Sequence, residues 1–238
     1  MRTRFKHPLL TIALAATMAT MAAMAATLAR ADEFSDKSKT IYMFGDYGLG
    51  TYKSLLVESN DTMGIVTYGF GASAGQDKNF GVEYRVENQS VTFALNQSSI
   101  ATSWTSTIFK YRLWAIELGP VFGKAAVKAN REGTDILDVV SSGYGGYFGM
   151  MLPIGKNSLL YLNGMSVANS DTVDREAREI TLGSRTDVEL GSRIGISRNA
   201  FDITLGYRRR TFSVTEASTA YNELQTSTFV GFHLGTDF

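Results

Sequence analysis

Few residues in this sequence could carry out general acid–base or nucleophilic chemistry. The chain has two histidines, His7 and His233, and no cysteine, so disulfides, thiolate metal ligands and cysteine nucleophiles are excluded. His7 falls in a segment that we expect to be removed, which leaves His233 as the candidate acid or base. Asp202 or Asp237 could pair with its ring, but no suitably placed serine completes a Ser-His-Asp arrangement. We therefore predict no catalytic residue, no metal site and no cofactor.

Charged side chains recur at every second position in several segments. Residues spaced by two share one face of a β-strand, so these charges are predicted to face one interior. The predicted set is Glu83, Arg85, Glu117, Arg185, Asp187, Glu189, Arg193, Asp202, Arg208 and Arg210, extended by Asp46, Lys110, Arg112 and Asp237. Its seven acids and seven bases indicate interlocking ion pairs, because unpaired charges are costly away from water. We favour a packed polar core over a path for ions or small solutes.

The elements that position these charges are predicted to be strands. The clearest alternation is at the C-terminus, where Val230, Phe232 and Leu234 share one face and His233 lies on the other. We predict ten antiparallel strands, with eight or twelve as alternatives, at about 41–53, 63–74, 79–95, 103–113, 114–128, 139–153, 158–168, 180–196, 200–213 and 226–238. Short turns alternate with longer polar connections near 54–62, 96–102, 129–138, 169–179 and 214–225, which we predict to be five external loops.

The alternation is least regular at residues 88–102. The apolar positions Val82, Tyr84 and Val86 are followed by Val91 and Phe93, a shift of one residue. A bulge in one long strand explains this shift, and so does an extra external hairpin. We favour the single strand.

The fold class follows from the absence of a long apolar segment in most of the chain. After residue 31 no apolar run approaches the roughly 18 residues of a membrane helix. Strands can cross lipid only when they close into a barrel, since backbone groups cannot remain unpaired there. Predicted strand ends carry the aromatic residues Trp114, Tyr144, Tyr147, Phe201 and Tyr207, as in interfacial girdles. The prediction is an all-β protein that forms a closed antiparallel transmembrane barrel.

The N-terminus predicts export. Arg2, Arg4 and Lys6 precede an Ala/Leu/Met-rich stretch, and Ala29-Arg30-Ala31 matches a small-residue cleavage site. We expect residues 1–31 to be a cleavable signal peptide, 32–40 a short periplasmic segment and 41–238 the barrel. An uncleaved membrane helix is the alternative for the first segment. Cleavage leaves a net charge of −4, so nucleic acid is not an expected partner.

Several segments resemble a known class. The alternating C-terminus that ends in Phe238, together with the segments Asn79–Arg85, Phe109–Leu113 and Leu118–Gly123, resembles small bacterial outer-membrane barrels of the opacity and OmpA-like types. The resemblance implies a Gram-negative outer-membrane location. It also implies that Val230, Phe232, Leu234 and Phe238 form the C-terminal signal recognised by the outer-membrane assembly machinery. Expected partners are that machinery, periplasmic chaperones, outer-membrane lipid and lipopolysaccharide; the external partner stays open.

The expected function is non-enzymatic. We favour a barrel with a charge-paired lumen and five external loops that serves envelope structure or surface interaction. A narrow channel for ions or small solutes is the first alternative, and a lipid- or peptide-modifying enzyme is the second. His233 argues against an enzyme, because a position five residues before the C-terminus lies low in the barrel.

Cleavage of the signal peptide gives a direct test of the export prediction. N-terminal sequencing of protein isolated from outer membranes should begin at Asp32, because signal peptidase cleaves after the small residues at 29 and 31. A protein that still begins at Met1 would instead carry an uncleaved helix that anchors it in the inner membrane.

Overall fold

The computed structural model describes residues 41–74, 79–95, 97–154, 158–174, 179–197, 201–216 and 218–236. The predicted signal peptide, the segment 32–40, Asp237 and Phe238 lie outside the described residues. The boundaries proposed for the first 40 residues therefore remain predictions.

Ten antiparallel strands form one closed barrel. They are β1 (Ile41–Ser54), β2 (Ser59–Ala74), β3 (Phe80–Phe93), β4 (Ser98–Leu113), β5 (Ile116–Arg131), β6 (Thr134–Pro153), β7 (Ser158–Asp174), β8 (Ile180–Ser197), β9 (Phe201–Glu216) and β10 (Thr219–Thr236). Each strand pairs with its sequence neighbours, and β1 closes the ring against β10 over the register from Ile41↔Thr236 to Lys53↔Leu224. The predicted fold class and strand number are confirmed. The two ends of the barrel are named here the terminal end, where β1 begins and β10 ends, and the distal end.

In the terminal half the outer surface is apolar. Large side chains such as Met43, Phe70, Phe122, Leu190 and Val230 are exposed there, with similar residues on the other strands. On β1 this surface runs from Ile41 to Leu49. Nine strand residues at ~3.3 Å each, tilted by about 40°, span roughly 20–25 Å, which matches the apolar band of membrane barrels. Among the described residues, no helix is long and apolar enough to span a membrane.

In the distal half the two faces exchange character. The outer positions become polar, as with Lys53, Asn88 and Thr211, and the inner positions become apolar. A buried apolar core fills the distal interior, formed by Tyr52, Val57, Met63, Ile65, Val91, Phe93, Ile100, Trp104, Ala125, Val127, Ala129, Leu137, Val139, Ile180, Leu182, Phe212 and Val214. The distal half is thus built like a water-soluble barrel, apolar inside and polar outside.

This exchange corrects the prediction of a bulge at residues 88–102. β3 is a single strand whose register with β2 and β4 is continuous. Glu83, Glu87, Val91 and Phe93 all point inward, four positions on one unbroken face. The apparent shift in the sequence arises because the inner face changes from charged to apolar.

The predicted length of the five external loops is also corrected. Most residues of the predicted polar connections belong to strands that extend to the distal end, where β1 and β2 are joined by residues 55–58 and β5 and β6 by Glu132 and Gly133. The β1–β2 turn folds inward, with Val57 fully buried and the main-chain N–H groups of Leu55 and Leu56 donating to Glu223 at 3.1 Å each. Polar residues dominate these segments because their outer face meets water.

Alanine substitutions at two neighbouring β3 positions, one on the inner face and one on the outer face, test the exchange of polarity between the faces. Phe93→Ala should lower the free energy of unfolding by about 3–5 kcal/mol, because it removes a buried aromatic ring. Thr92→Ala, on the outer face, should change it by no more than about 0.5 kcal/mol. Urea unfolding in lipid vesicles measures both. A larger loss for Thr92→Ala would mean that this part of β3 is inverted.

Candidate functional site

The terminal part of the interior contains a group of charges around Glu83. Lys110 Nζ lies 2.7 Å from Glu83 Oε2, and Arg85 donates to Oε1 at 3.0 Å. The hydroxyl of Tyr42 donates to the same carboxylate at 2.9 Å. On the neighbouring strands, Arg112 donates to Glu117 through Nε and a terminal nitrogen at 3.0 and 2.5 Å. Every charge of this group therefore has an opposite charge within hydrogen-bonding distance.

Arg208 is the centre of the next group toward the distal end. Its Nε donates to Glu189 at 2.9 Å and a terminal nitrogen donates to Asp46 at 3.0 Å. A further bond of 2.8 Å joins it to Thr67 Oγ1, and its guanidinium lies over the Phe229 ring at 4.6 Å. The side chain is 3% exposed. A guanidinium is a planar group with several N–H donors, and several acceptors placed around it satisfy these donors when it is buried.

A third group lies directly beneath the apolar core. Arg185 Nε and Arg210 Nε both donate to Asp187 Oδ1, at 3.0 and 2.9 Å. Both arginines also reach Glu87, and the distance from Arg185 to Glu87 Oε1 is 2.9 Å. Arg185 stacks on the Trp104 ring at 4.6 Å, which joins the charged interior to the apolar core above it.

Two of these ion pairs join strands that face each other directly across the lumen. β3 and β8 are five strands apart in both directions around the ten-strand ring, so they face each other. Arg185 of β8 binds Glu87 of β3 at 2.9 Å, and Arg85 of β3 lies 3.8 Å from Glu189 of β8. A cavity beside Arg85, Tyr147 and Arg208 measures about 10 Å³, room for about one water molecule. The interior at this level is filled by side chains that meet across it.

The remaining predicted residues lie nearer the terminal end. His233 is buried, its ring stacks on Tyr42 with centroids 4.7 Å apart, and its Nδ1 lies 3.6 Å from Asp202 Oδ2. Arg193 is opposite Thr204 and forms no ion pair with the described residues. Asp237 lies outside the described residues, and among those described no acid, histidine or cysteine cluster could hold a metal ion.

The C-terminal signal residues Val230, Phe232 and Leu234 lie on the outer apolar surface. Phe238 is outside the described residues. Their role in assembly stays a prediction.

Sequence reasoning missed three inward residues that complete the network. Glu87, directly before the irregular stretch 88–102, was left out of the predicted set, although it continues the spacing of Glu83 and Arg85. Gln225 accepts a bond of 3.3 Å from Arg210 on the neighbouring strand. Tyr147 was predicted in an interfacial girdle but points inward, where its hydroxyl donates to Asn163 at 2.9 Å. The alternation along β6 was the signal that could have placed Tyr147, because it shares the inner face with Gly145 and Gly149.

Comparison with known proteins gives a likeness in fold. No family model and no curated protein matches the sequence. The solved structures that resemble the chain are bacterial outer-membrane barrels.

Three examples show how distant these structures are. Neisserial surface protein A is 11% identical over 82% of this chain and 96% of its own, with a TM-score of 0.40. The outer-membrane protease OmpT of Escherichia coli is 8% identical over 82% of this chain and 96% of its own, with a TM-score of 0.49. An outer-membrane channel of Pseudomonas putida F1 is 11% identical over 82% of this chain and 95% of its own, with a TM-score of 0.49. Likeness at this level carries no argument about what this chain does.

Adjacent arginines on β9 test the energetic importance of the ion pairs. Arg208→Ala should lower the free energy of unfolding by about 3–5 kcal/mol, because Glu189 and Asp46 would lose a shared buried partner. Arg209→Ala is the matched control, since Arg209 is exposed on the outer face and should cost about 0–1 kcal/mol. Urea titration in the same lipid measures both. Equal losses would show that the interior charges are hydrated.

Proposed function

We propose that this protein is a non-enzymatic integral barrel of a Gram-negative outer membrane, with a closed lumen, that serves envelope structure or surface interaction. The apolar outer surface of the terminal half supports the membrane location, since it matches a lipid layer in height. Both described ends of the chain lie at one end of the barrel. That end is assigned to the periplasm and the distal end to the outside.

The ion pairs between β3 and β8 are the observation that carries the closed lumen. A conducting path would need water along the axis, but Arg185–Glu87 and Arg85–Glu189 join opposite walls. The distal apolar core lies above them and adds a second layer that is mainly apolar. Side chains can fill the narrow interior of a barrel of this size. These features favour a rigid polar core over the channel alternative.

The non-enzymatic assignment is supported by the position of His233. Its ring is buried in the terminal half of the interior, against Tyr42 and Asp202. A substrate arriving from the outer leaflet or the exterior would have to pass the apolar core and the charged groups. The imidazole is better explained as part of the interior packing.

The distal outer wall takes the place of the predicted loops as the surface for interaction. On β3 and β4 it presents small uncharged groups such as Asn88, Ser90 and Ser103, with Ser103 Oγ 2.7 Å from Asn88 Oδ1. This wall begins directly above the apolar band. We propose that it contacts the sugar and head-group region of lipopolysaccharide.

Planar-bilayer recording separates the closed barrel from the channel. Refolded wild-type protein should give no steady conductance, and Arg208→Ala alone should not either, because the apolar core remains. The double variant Arg208→Ala/Trp104→Ala, which weakens both layers, should leak. Bilayers with added unfolded protein serve as the negative control, and bilayers with an inserted porin serve as the positive control. Steady ion-selective conductance of the wild type would replace the closed barrel with a channel.

A further inference from the structure

The turn between β1 and β2 is folded into the distal end of the barrel. Val57 is fully buried in the distal apolar core, and Leu56 packs against that core. The turn is closed by the main-chain N–H of Val57, which donates to Ser54 Oγ at 3.2 Å. We call residues 55–58 the lid.

Two side chains from different parts of the wall hold the lid. The main-chain N–H groups of Leu55 and Leu56 both donate to Glu223 Oε1 of β10, at 3.1 Å each. Arg131 of β5, four strands from β1 around the ring, donates to the carbonyl oxygen of Leu56 at 3.3 Å. The lid therefore reaches across the distal opening from its own strands toward β5.

Glu223 differs from the other buried acids of the interior. It is 1% exposed, and no base among the described residues forms an ion pair with it. Its second carboxylate oxygen, Oε2, has no hydrogen-bond partner among those residues. The acids deeper in the barrel each bind an arginine or a lysine, namely Glu83, Glu87, Glu117, Asp187 and Glu189. At Glu223 the lid takes the place of a cation.

The other titratable groups around Glu223 do not supply a counter-ion. Arg210 is on the neighbouring strand β9, but its ion pairs are with Glu87 and Asp187. The remaining groups on the elements packed around this carboxyl are the hydroxyls of Tyr52 and Tyr221 and the exposed side chains of Lys53, Glu58 and Glu216. Closure of the lid thus encloses one carboxyl group without a cation.

The state of this carboxyl is coupled to the position of the lid. Burial without a cation favours the neutral form, whereas the N–H groups of the lid favour the ionised form. Burial is the larger effect, and it raises the pKa of Glu223 above its usual value. With the lid open, the carboxyl would meet water and titrate at its usual pKa. The closed form therefore binds the proton more tightly, so closure is most stable below the usual pKa and loses stability as pH rises through the raised pKa.

We infer that the lid is a pH-dependent closure of the distal end, fastened when Glu223 is protonated and loosened when Glu223 is ionised. Loosening withdraws Leu56 and Val57 from the core and opens the apolar distal interior to the surrounding water. The ion pairs deeper in the barrel are not involved. This switch goes beyond the proposed envelope role and does not depend on whether the lumen conducts.

A thiol on the lid reports whether it is closed, because the chain contains no cysteine. In Val57→Cys, a water-soluble maleimide should react only when the lid is open. Leu95→Cys, at a position that is 92% exposed, gives the rate for an accessible thiol at each pH. The ratio of the two rates should rise severalfold between about pH 5 and about pH 8, because ionised Glu223 loosens the lid. Heat-modifiable migration in gels at each pH checks that the barrel stays folded.

Two further variants separate the sensor from the tether. Val57→Cys/Glu223→Gln keeps a carbonyl acceptor for the lid but cannot ionise, so its ratio should be low and independent of pH. Val57→Cys/Arg131→Gln loses the other tether and keeps the carboxyl, so its ratio should be higher at every pH and still rise with pH.

Three results would overturn the switch. They are a ratio that does not change with pH in Val57→Cys, an unchanged pH dependence after Glu223→Gln, and faster labelling in acid. The last would mean that the N–H groups of the lid outweigh burial. Labelling does not require conduction, so each of these results would leave the proposed closed barrel in place.

Discussion

Charges buried in the interior of a narrow barrel determine how the rest of this structure is arranged. A guanidinium such as Arg208, whose side chain is 3% exposed, cannot be left without an acceptor. Its two carboxylate partners come from β1 and β8, so the pairing ties together strands that are distant in sequence. The pairs between β3 and β8 then hold opposite walls at a fixed separation. The contacts that satisfy these charges are therefore the same contacts that support the proposed closure of the lumen.

The other constraint is that an unbroken strand keeps the same face inward along its whole length. On β3 the inward face changes from Glu83 and Glu87 to Val91 and Phe93, while the outward face changes from Phe80 and Val82 to Ser90 and Thr92. Each face is chosen by its surroundings: lipid requires apolar side chains outside, and water allows them to return to the interior. The position of the exchange marks the upper limit of the lipid on each strand. The distal half is then stabilised by ordinary apolar burial, without the need for ion pairs.

These two constraints explain which features were predictable. Two-residue periodicity was sufficient for the strand number, the closed antiparallel fold and the inward side of residues such as Arg185, Asp187 and Arg210. It failed at residues 88–102, because the prediction assumed one polarity for the interior and read a change of chemistry as a bulge. The same assumption turned polar strand ends into loops and placed Tyr147 outside. Partner choice, such as Glu87 with Arg185, depends on which strands face each other across the ring, and a single sequence does not contain that information.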